Sequence, residues 1–293
     1  MEFIAKSSWN ERCIQDKLNR GADGIEIQLL KPEKEPALSC FYTVPEYFKG
    51  YGIRCIHTPL DAETEFNYDI DTPRGKEWLI QTVLLASKVS QLNGKPTNVI
   101  CHMEHDIKHL RELSVYKSTV EFVRTLARNY PDVTICVENT THRLTGIYDN
   151  VTFVNEVGMK NVGTCLDTCH ALISEHYTGL ITDKGAHPAG EYNFESLISA
   201  FRKNKDVCKW IHLAGAKDTG EGFGFGKGHG CVFDDDGDLR YILSLHENFT
   251  PGATMCFEVR EDDYLNCTNF SRMLEMSRRI LSEKQPDTIG YME

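Results

Sequence analysis

The chain has no run of about 18 consecutive apolar residues, the length a helix needs to cross a bilayer. Its first residues, MEFIAKSSWNERC, also lack the apolar centre of a secretory signal. Neither a membrane span nor export is therefore expected. No Gly/Ser linker, Pro-rich tract or break in composition divides the 293 residues, which predicts one domain over 1–293. Positive charge is in short supply: 32 Lys and Arg face 43 Asp and Glu, a net charge of −11. That balance disfavours a broad phosphate-binding surface, although a local basic groove is compatible with it. The 11 cysteines are odd in number, and without an export signal they predict reduced thiols in the cytoplasm rather than a disulfide framework. The Asn-x-Thr/Ser matches at Asn139, Asn150, Asn248, Asn266 and Asn269 then carry no glycan.

What the chain does contain is alternation. Eight short β-like runs (FIAK, GIEIQLL, IRCIHTPL, TNVICHME, VTICVENT, VGTCLDTC, KWIHLAG and TMCFEVRE) are separated by longer amphipathic stretches. Residues 73–93 carry Trp78, Val83, Leu84, Val89 and Leu92; residues 115–130 place Phe122, Val123, Leu126, Ala127 and Tyr130 on one face. Phe270, Met273, Leu274, Ile280 and Leu281 do the same near the end. Gly21, Gly94 and Gly158 stand where helices stop before the next strand. Eight β/α alternations in this length predict a single (β/α)8 TIM barrel, with a doubly wound open sheet as the alternative.

Six of the runs push a metal-ligand type out of an apolar stretch: His57, His102, Glu138, Asp167 followed by His170, His212, and Glu258. A charged group at the end of a buried strand is costly unless compensated, and one bound cation would compensate all of them. Residues two apart share a strand face. Cys55, Cys136, Cys165 and Cys256 therefore lie one layer beneath His57, Glu138, Asp167 and Glu258, while Ile100 and Trp210 lie beneath His102 and His212. Glu138, Asp167, His212 and Glu258 suit Mn²⁺, Mg²⁺ or Co²⁺, with Zn²⁺ also accommodated, and His57 with His102 favours a second, zinc-like position. Glu26 and Gln28 of GIEIQLL are expected to face the pocket.

Other features carry less. The cysteines read as compact core residues, with only Cys169 and Cys231 near solvent and ligand. The Gly-rich 220–230 segment is not a phosphate-binding fingerprint, since it does not follow a strand and open a helix at the required spacing; it reads as a loop over the pocket. Lys217 and Lys227 in or beside it are within reach of an anionic substrate group, and Glu104, His105 and His109 read as polar residues at a helix start. The loop after His57, DAETEFNYDID, places Asp61, Glu63, Glu65, Asp69 and Asp71 where a DNA-binding surface would carry Lys, Arg or aromatics.

The motifs ENT (138–140), LDTCHA (166–171), IHL with the later Lys217, and FE (257–258) resemble those of the xylose-isomerase-like TIM barrels, which include sugar isomerases, epimerases and endonuclease IV. Carried over from the epimerase branch, the resemblance implies metal binding by Glu138, Asp167, His212 and Glu258, with His170 on the substrate. From the endonuclease IV branch it implies a clustered zinc site using His57, His102, Glu138, Asp167 and His170. That branch also has an Asp-x-His after its seventh strand; here DTGEGFGFGKGHG offers only glycines and His229, which argues against a third metal.

The expected activity is isomerisation or epimerisation of a small polyhydroxylated carbonyl compound. A divalent ion would stabilise enediolate charge while Glu138 and Glu258 remove and return a proton, with His57, His102, His170, Glu26 and Lys217 contacting substrate. The alternatives are an endonuclease IV-like hydrolase of abasic DNA and a metal-stabilised barrel without turnover. Ion number separates them: a single Mn²⁺-like ion favours the isomerase, and two or more Zn²⁺ the hydrolase. The expected partner is a small molecule, nucleic acid is disfavoured, and a homo-oligomer is compatible with the sequence.

Overall fold

In a computed structural model, the described residues are 1–8, 10–30, 50–61, 66–67, 69–103, 113–139, 147–173, 194–216, 229–234 and 236–283. The barrel strands are β1 (Phe3–Ser8), β2 (Gly24–Leu30), β3 (Ile53–Asp61), β4 (Thr97–Cys101), β5 (Val133–Glu138), β6 (Val162–Asp167), β7 (Cys208–Leu213) and β8 (Thr254–Phe257). Each pairs in parallel with the next, and β8 pairs with β1, so the ring closes and the open-sheet alternative is excluded. Strands buried on both faces read as near-continuous apolar runs, and all six residues of β6 are buried.

The two strand faces build two separate cores. Outward residues such as Phe3, Ile25, Ile56, Val99, Ile135, Leu166, Ile211 and Phe257 pack against the surrounding helices. Inward residues Ile4, Cys55, Ile100, Cys136, Cys165, Trp210 and Cys256 form a closed apolar cluster of their own. The expected layer beneath the ligands is thus present, with Ile4 of β1 added to it. Gly163 of β6 sits where the next strand comes closest: a Cβ there would lie 2.3 Å from Lys209 Cγ and 2.5 Å from the Val207 carbonyl.

The helices among the described residues are α1 (Glu11–Asn19), α2 (Pro73–Asn93), α3 (Leu113–Asn129), α4 (Ile147–Val157), α5 (Thr168–Ile173), α6 (Phe194–Asn204), α7 (Asp236–Phe249) and α8 (Thr268–Ser282). Local chemistry starts and stops them. Thr72 Oγ1 accepts the Gly75 N–H at 2.9 Å, Pro73 opens α2, and Gly94 ends it in the left-handed region at φ 63°. The Glu261 carboxylate accepts N–H groups of Asn269 and Phe270 at the start of α8. Two details depart from the sequence reading. In α2 Leu85 rather than Leu84 reaches the core, and Leu281 in the last turn of α8 is 38% exposed. No described helix is long and apolar enough to cross a membrane, and the ten described cysteines are free thiols.

Candidate metal centre

The polar layer sits two residues above the apolar ring, at the C-terminal ends of the strands where barrel active sites lie. Glu138 is its hub, with a side chain 2% exposed. Its Oε2 lies 3.1 Å from His57 Nε2 and 3.0 Å from His102 Nε2; its Oε1 lies 3.1 Å from His212 Nδ1. Glu258 Oε2 approaches the same Nδ1 at 2.7 Å, and Asp167 Oδ2 stands 3.9 Å from it. On its far side Asp167 Oδ2 is 3.6 Å from His229 Nε2 and 3.9 Å from His170 Nδ1. Ligand atoms within 4.8 Å of one another thus fall into linked sets: His57, His102 and Glu138; Glu138, Asp167, His212 and Glu258; and Asp167, His170 and His229. A further set, Glu138, Cys165 and His212, draws on the apolar ring.

Neighbouring hydrogen bonds decide what each ring presents. His57 Nδ1 lies 2.9 Å from the Thr58 carbonyl, a contact that needs an N–H on that nitrogen. Burial, and then the Lys6 charge, holds the His57 pKa below its ordinary value, so the ring is neutral and Nε2 turns a lone pair toward Glu138. Two acceptors facing each other at 3.1 Å call for a cation. His212 Nε2 lies 3.0 Å from both oxygens of Glu26, which assigns its proton to that side and aims Nδ1 at Glu138 and Glu258. Burial lowers the basicity of His212, but the carboxylates of Glu26 and Glu258 outweigh it and raise the pKa well above the usual value. In the ion-free chain a second proton on His212 does part of the work of a metal.

Two further atoms support that fit. Asp167 Oδ2 is buried without a hydrogen-bond partner among the described residues, and Glu258 Oε2 has only His212 Nδ1 beside it, a costly state for carboxylate oxygens. Three carboxylates and an imidazole match a hard or borderline divalent ion, whereas the two imidazoles and one carboxylate around Glu138 Oε2 match zinc.

Short polar side chains hold the strand ends in place. Asn139 accepts the Asp167 N–H at 2.7 Å and donates to the Asp167 carbonyl at 3.2 Å, tying β5 to β6. The Thr168 hydroxyl donates to the Ala214 carbonyl at 2.8 Å and accepts its N–H at 3.0 Å, tying β6 to β7. The antiparallel pair Gly215–Ala216 and His229–Cys231 folds His229 over the centre, where it is 7% exposed. The Gly230 carbonyl, accepting the Arg260 N–H at 2.7 Å, anchors that return.

Several sequence expectations need amendment. Glu26 faces inward but not at the rim: it is fully buried, accepts the Trp210 Nε1–H at 2.7 Å, and orients His212 from below. Asp69 and Asp71 are 7% and 8% exposed, so two of the five acidic residues expected to line a surface after His57 are turned inward. Cys169 is fully buried and Cys231 partly exposed. Lys217, Lys227, Glu104, His105 and His109 lie outside the described residues. Lys6 was not anticipated: its Nζ sits 2.7 Å from Glu258 Oε1 and 3.5 Å from Glu26 Oε1. The same two-residue rule puts Lys6 on the inward face with Ile4, but not the carboxylates that keep it there.

A family model described as xylose isomerase-like TIM barrel matches residues 18–270. The chain belongs to that family. Among solved structures it is similar to a xylose isomerase domain protein from Planctomyces limnophilus (12% identity, TM-score 0.62, covering 95% of each chain). It is also similar to the probable 3-DHS dehydratase AsbF of Bacillus anthracis (12%, 0.61, 97% of this chain and 100% of that one). D-allulose 3-epimerase from Methylomonas sp. is a third (13%, 0.58, 96% and 98%). No curated protein matches the sequence. At these identities the structural likenesses speak to fold, and the family's enzymes span more than one reaction.

Proposed function

We propose that the protein is a metal-dependent phosphodiester hydrolase of the endonuclease IV type. The observation that carries this reading is the division of Glu138, whose Oε2 faces His57 and His102 while Oε1 faces His212. One carboxylate is thereby shared between two ion positions. A single-ion isomerase would use Glu138, Asp167, His212 and Glu258 and leave the His57 lone pair uncompensated against a carboxylate.

His57, His102 and Glu138 would hold one ion, and Glu138, Asp167, His212 and Glu258 the other, with Asp167, His170 and His229 as a further set. Bound there, the ions would supply Lewis-acid polarisation of a phosphoryl oxygen and lower the pKa of a water. Trp210 fixes Glu26, and Glu26 fixes the His212 proton on Nε2, so Nδ1 is presented with little freedom. His170 donates Nδ1–H to the Asn139 carbonyl at 2.7 Å, leaving Nε2 available at the partly open rim. Burial raises the Glu258 pKa, but Lys6 and His212 together hold it well below the usual carboxylate range. A carboxylate so reluctant to take a proton serves better as a ligand than as a base. Free thiols accord with a cytoplasmic setting.

The test is incubation of Zn²⁺-loaded protein with an abasic-site oligonucleotide. Nicking that disappears in Glu138→Gln supports the proposal; intact strands at full metal loading would refute it. One observation favours the sugar isomerase or epimerase as second reading: Glu138 and Glu258 reach His212 Nδ1 from separate strands, the arrangement a two-carboxylate proton exchange needs. That reading predicts solvent deuterium entering a ketose or aldose substrate, abolished by Glu258→Gln. Strong stabilisation by metal without either reaction would leave a non-catalytic metal-binding barrel.

A further inference from the structure

Lys6 is the one amine among the described residues of the polar layer, and no proton-transfer or ligand role yet accounts for it. Strand β1 places it above Ile4, with its side chain 12% exposed. The two oxygens of Glu258 are divided: Oε1 meets the ammonium at 2.7 Å, and Oε2 meets His212 Nδ1 at 2.7 Å inside the four-ligand set. Lys6 also leans on Glu26 at 3.5 Å, the carboxylate that orients His212.

We propose that Lys6 is a built-in competitor of the metal, a positioning residue that occupies Glu258 Oε1, restricts Glu258 to one ligating oxygen, and weakens ion binding at the four-ligand position. The inference rests on the metal-centre reading above. An ammonium has three donors and no acceptor, so while charged it cannot itself be a ligand. Its charge repels a divalent ion across a few ångströms of poorly screening interior. The same charge offsets the mutual repulsion of Glu26, Glu138, Asp167 and Glu258 when no ion is bound. Lys6 therefore acts with opposite sign on the two states: it stabilises the ion-free protein and loosens the ion. A lysine that merely supported the architecture would act with the same sign on both.

The experiment compares full-length wild type, Lys6→Met, Lys6→Gln and Lys6→Arg by competition of a chromophoric chelator for Zn²⁺ and for Co²⁺, with melting of each ion-free protein alongside. The neutral variants should bind at least about tenfold more tightly, equivalent to about 1.4 kcal/mol, and melt lower when ion-free. Lys6→Arg should stay near wild type or bind more weakly. The visible spectrum of bound Co²⁺ should change in Lys6→Met, because Glu258 gains a second oxygen to offer. If a neutral variant folds only with ion present, it is refolded in Co²⁺ and entered in the same competition. Equal or weaker binding by both neutral variants overturns the role assigned to Lys6 while leaving the metal centre standing. Failure of the wild type to bind either ion overturns both.

Discussion

Two residues apart on the same strands, the barrel interior changes character completely. The lower layer of Ile4, Cys55, Ile100, Cys136, Cys165, Trp210 and Cys256 is apolar and sealed. The upper layer of Lys6, His57, His102, Glu138, Asp167, His212 and Glu258 is almost wholly ionisable and nearly as buried. The first stabilises the fold by excluding water; the second is expensive to form, a cost that a proton on His212 offsets in part and that ions at the proposed positions would offset further. Sealing from below also makes the upper layer effective, since a dry floor keeps charge–charge interactions strong. Stability and binding should therefore separate by layer.

The largest stability effect is expected where the layers are joined. Trp210→Ala should cost about 3–5 kcal/mol in urea unfolding of the chelated protein, and Trp210→Phe should cost less but still weaken ion binding through loss of the Glu26 contact. An effect confined to stability in both variants would break the link between floor and ligand.

Acid titration sharpens the comparison next. Burial raises the Glu26 pKa, but His212 and Lys6 bring it from 4.5 down to about 2. A lowered carboxylate contributes stability above pH 4.5 that disappears as pH falls toward 2, on the order of 3 kcal/mol for this shift. Unfolding of the chelated protein at pH 6 and pH 3 should show a smaller acid loss in Glu26→Gln than in wild type. Parallel losses would mean that Glu26 is not held ionised.

Glu138→Gln addresses the upper layer alone. Affinity at both ion positions should fall by more than about 100-fold, beyond what outer contacts to ligands command, and the ion-free protein should lose stability at neutral pH, because burial raises the Glu138 pKa but His212 and His102 hold it well below the usual carboxylate range. Residual tight binding of two ions would exclude the shared-carboxylate arrangement. The smallest effect belongs to the floor: Cys256→Ala should cost about 1 kcal/mol and leave ion affinity within about twofold.

Much of this was legible in the sequence because strand alternation is a strict rule. Cysteines at 55, 136, 165 and 256 beneath ligands at 57, 138, 167 and 258 are read by counting two. Depth was not legible. Glu26 pairs in register with Cys55, and Gln28 with His57, so β2 carries its carboxylate one layer lower than β3 carries its imidazole. Strand stagger of that kind is set by ring closure, not by any one segment. Lys6 escaped because a lysine at a strand end ordinarily reaches for solvent; only the carboxylates of strands β2 and β8, far apart in sequence, hold it inside. The burial of Asp69 and Asp71 likewise depends on how the chain returns to α2, where the Thr72 hydroxyl donates to the Asp69 carbonyl at 2.8 Å.

The central claim is that Glu138 serves two ions at once. Its most direct test is the zinc content of the reconstituted protein, measured by elemental analysis for wild type and for the His57→Ala, His102→Ala double variant. Two or more Zn²⁺ per wild-type chain, with one lost and the Glu258-side ion retained in the double variant, is the predicted result. One ion in the wild type, unchanged by removing both histidines, would contradict it.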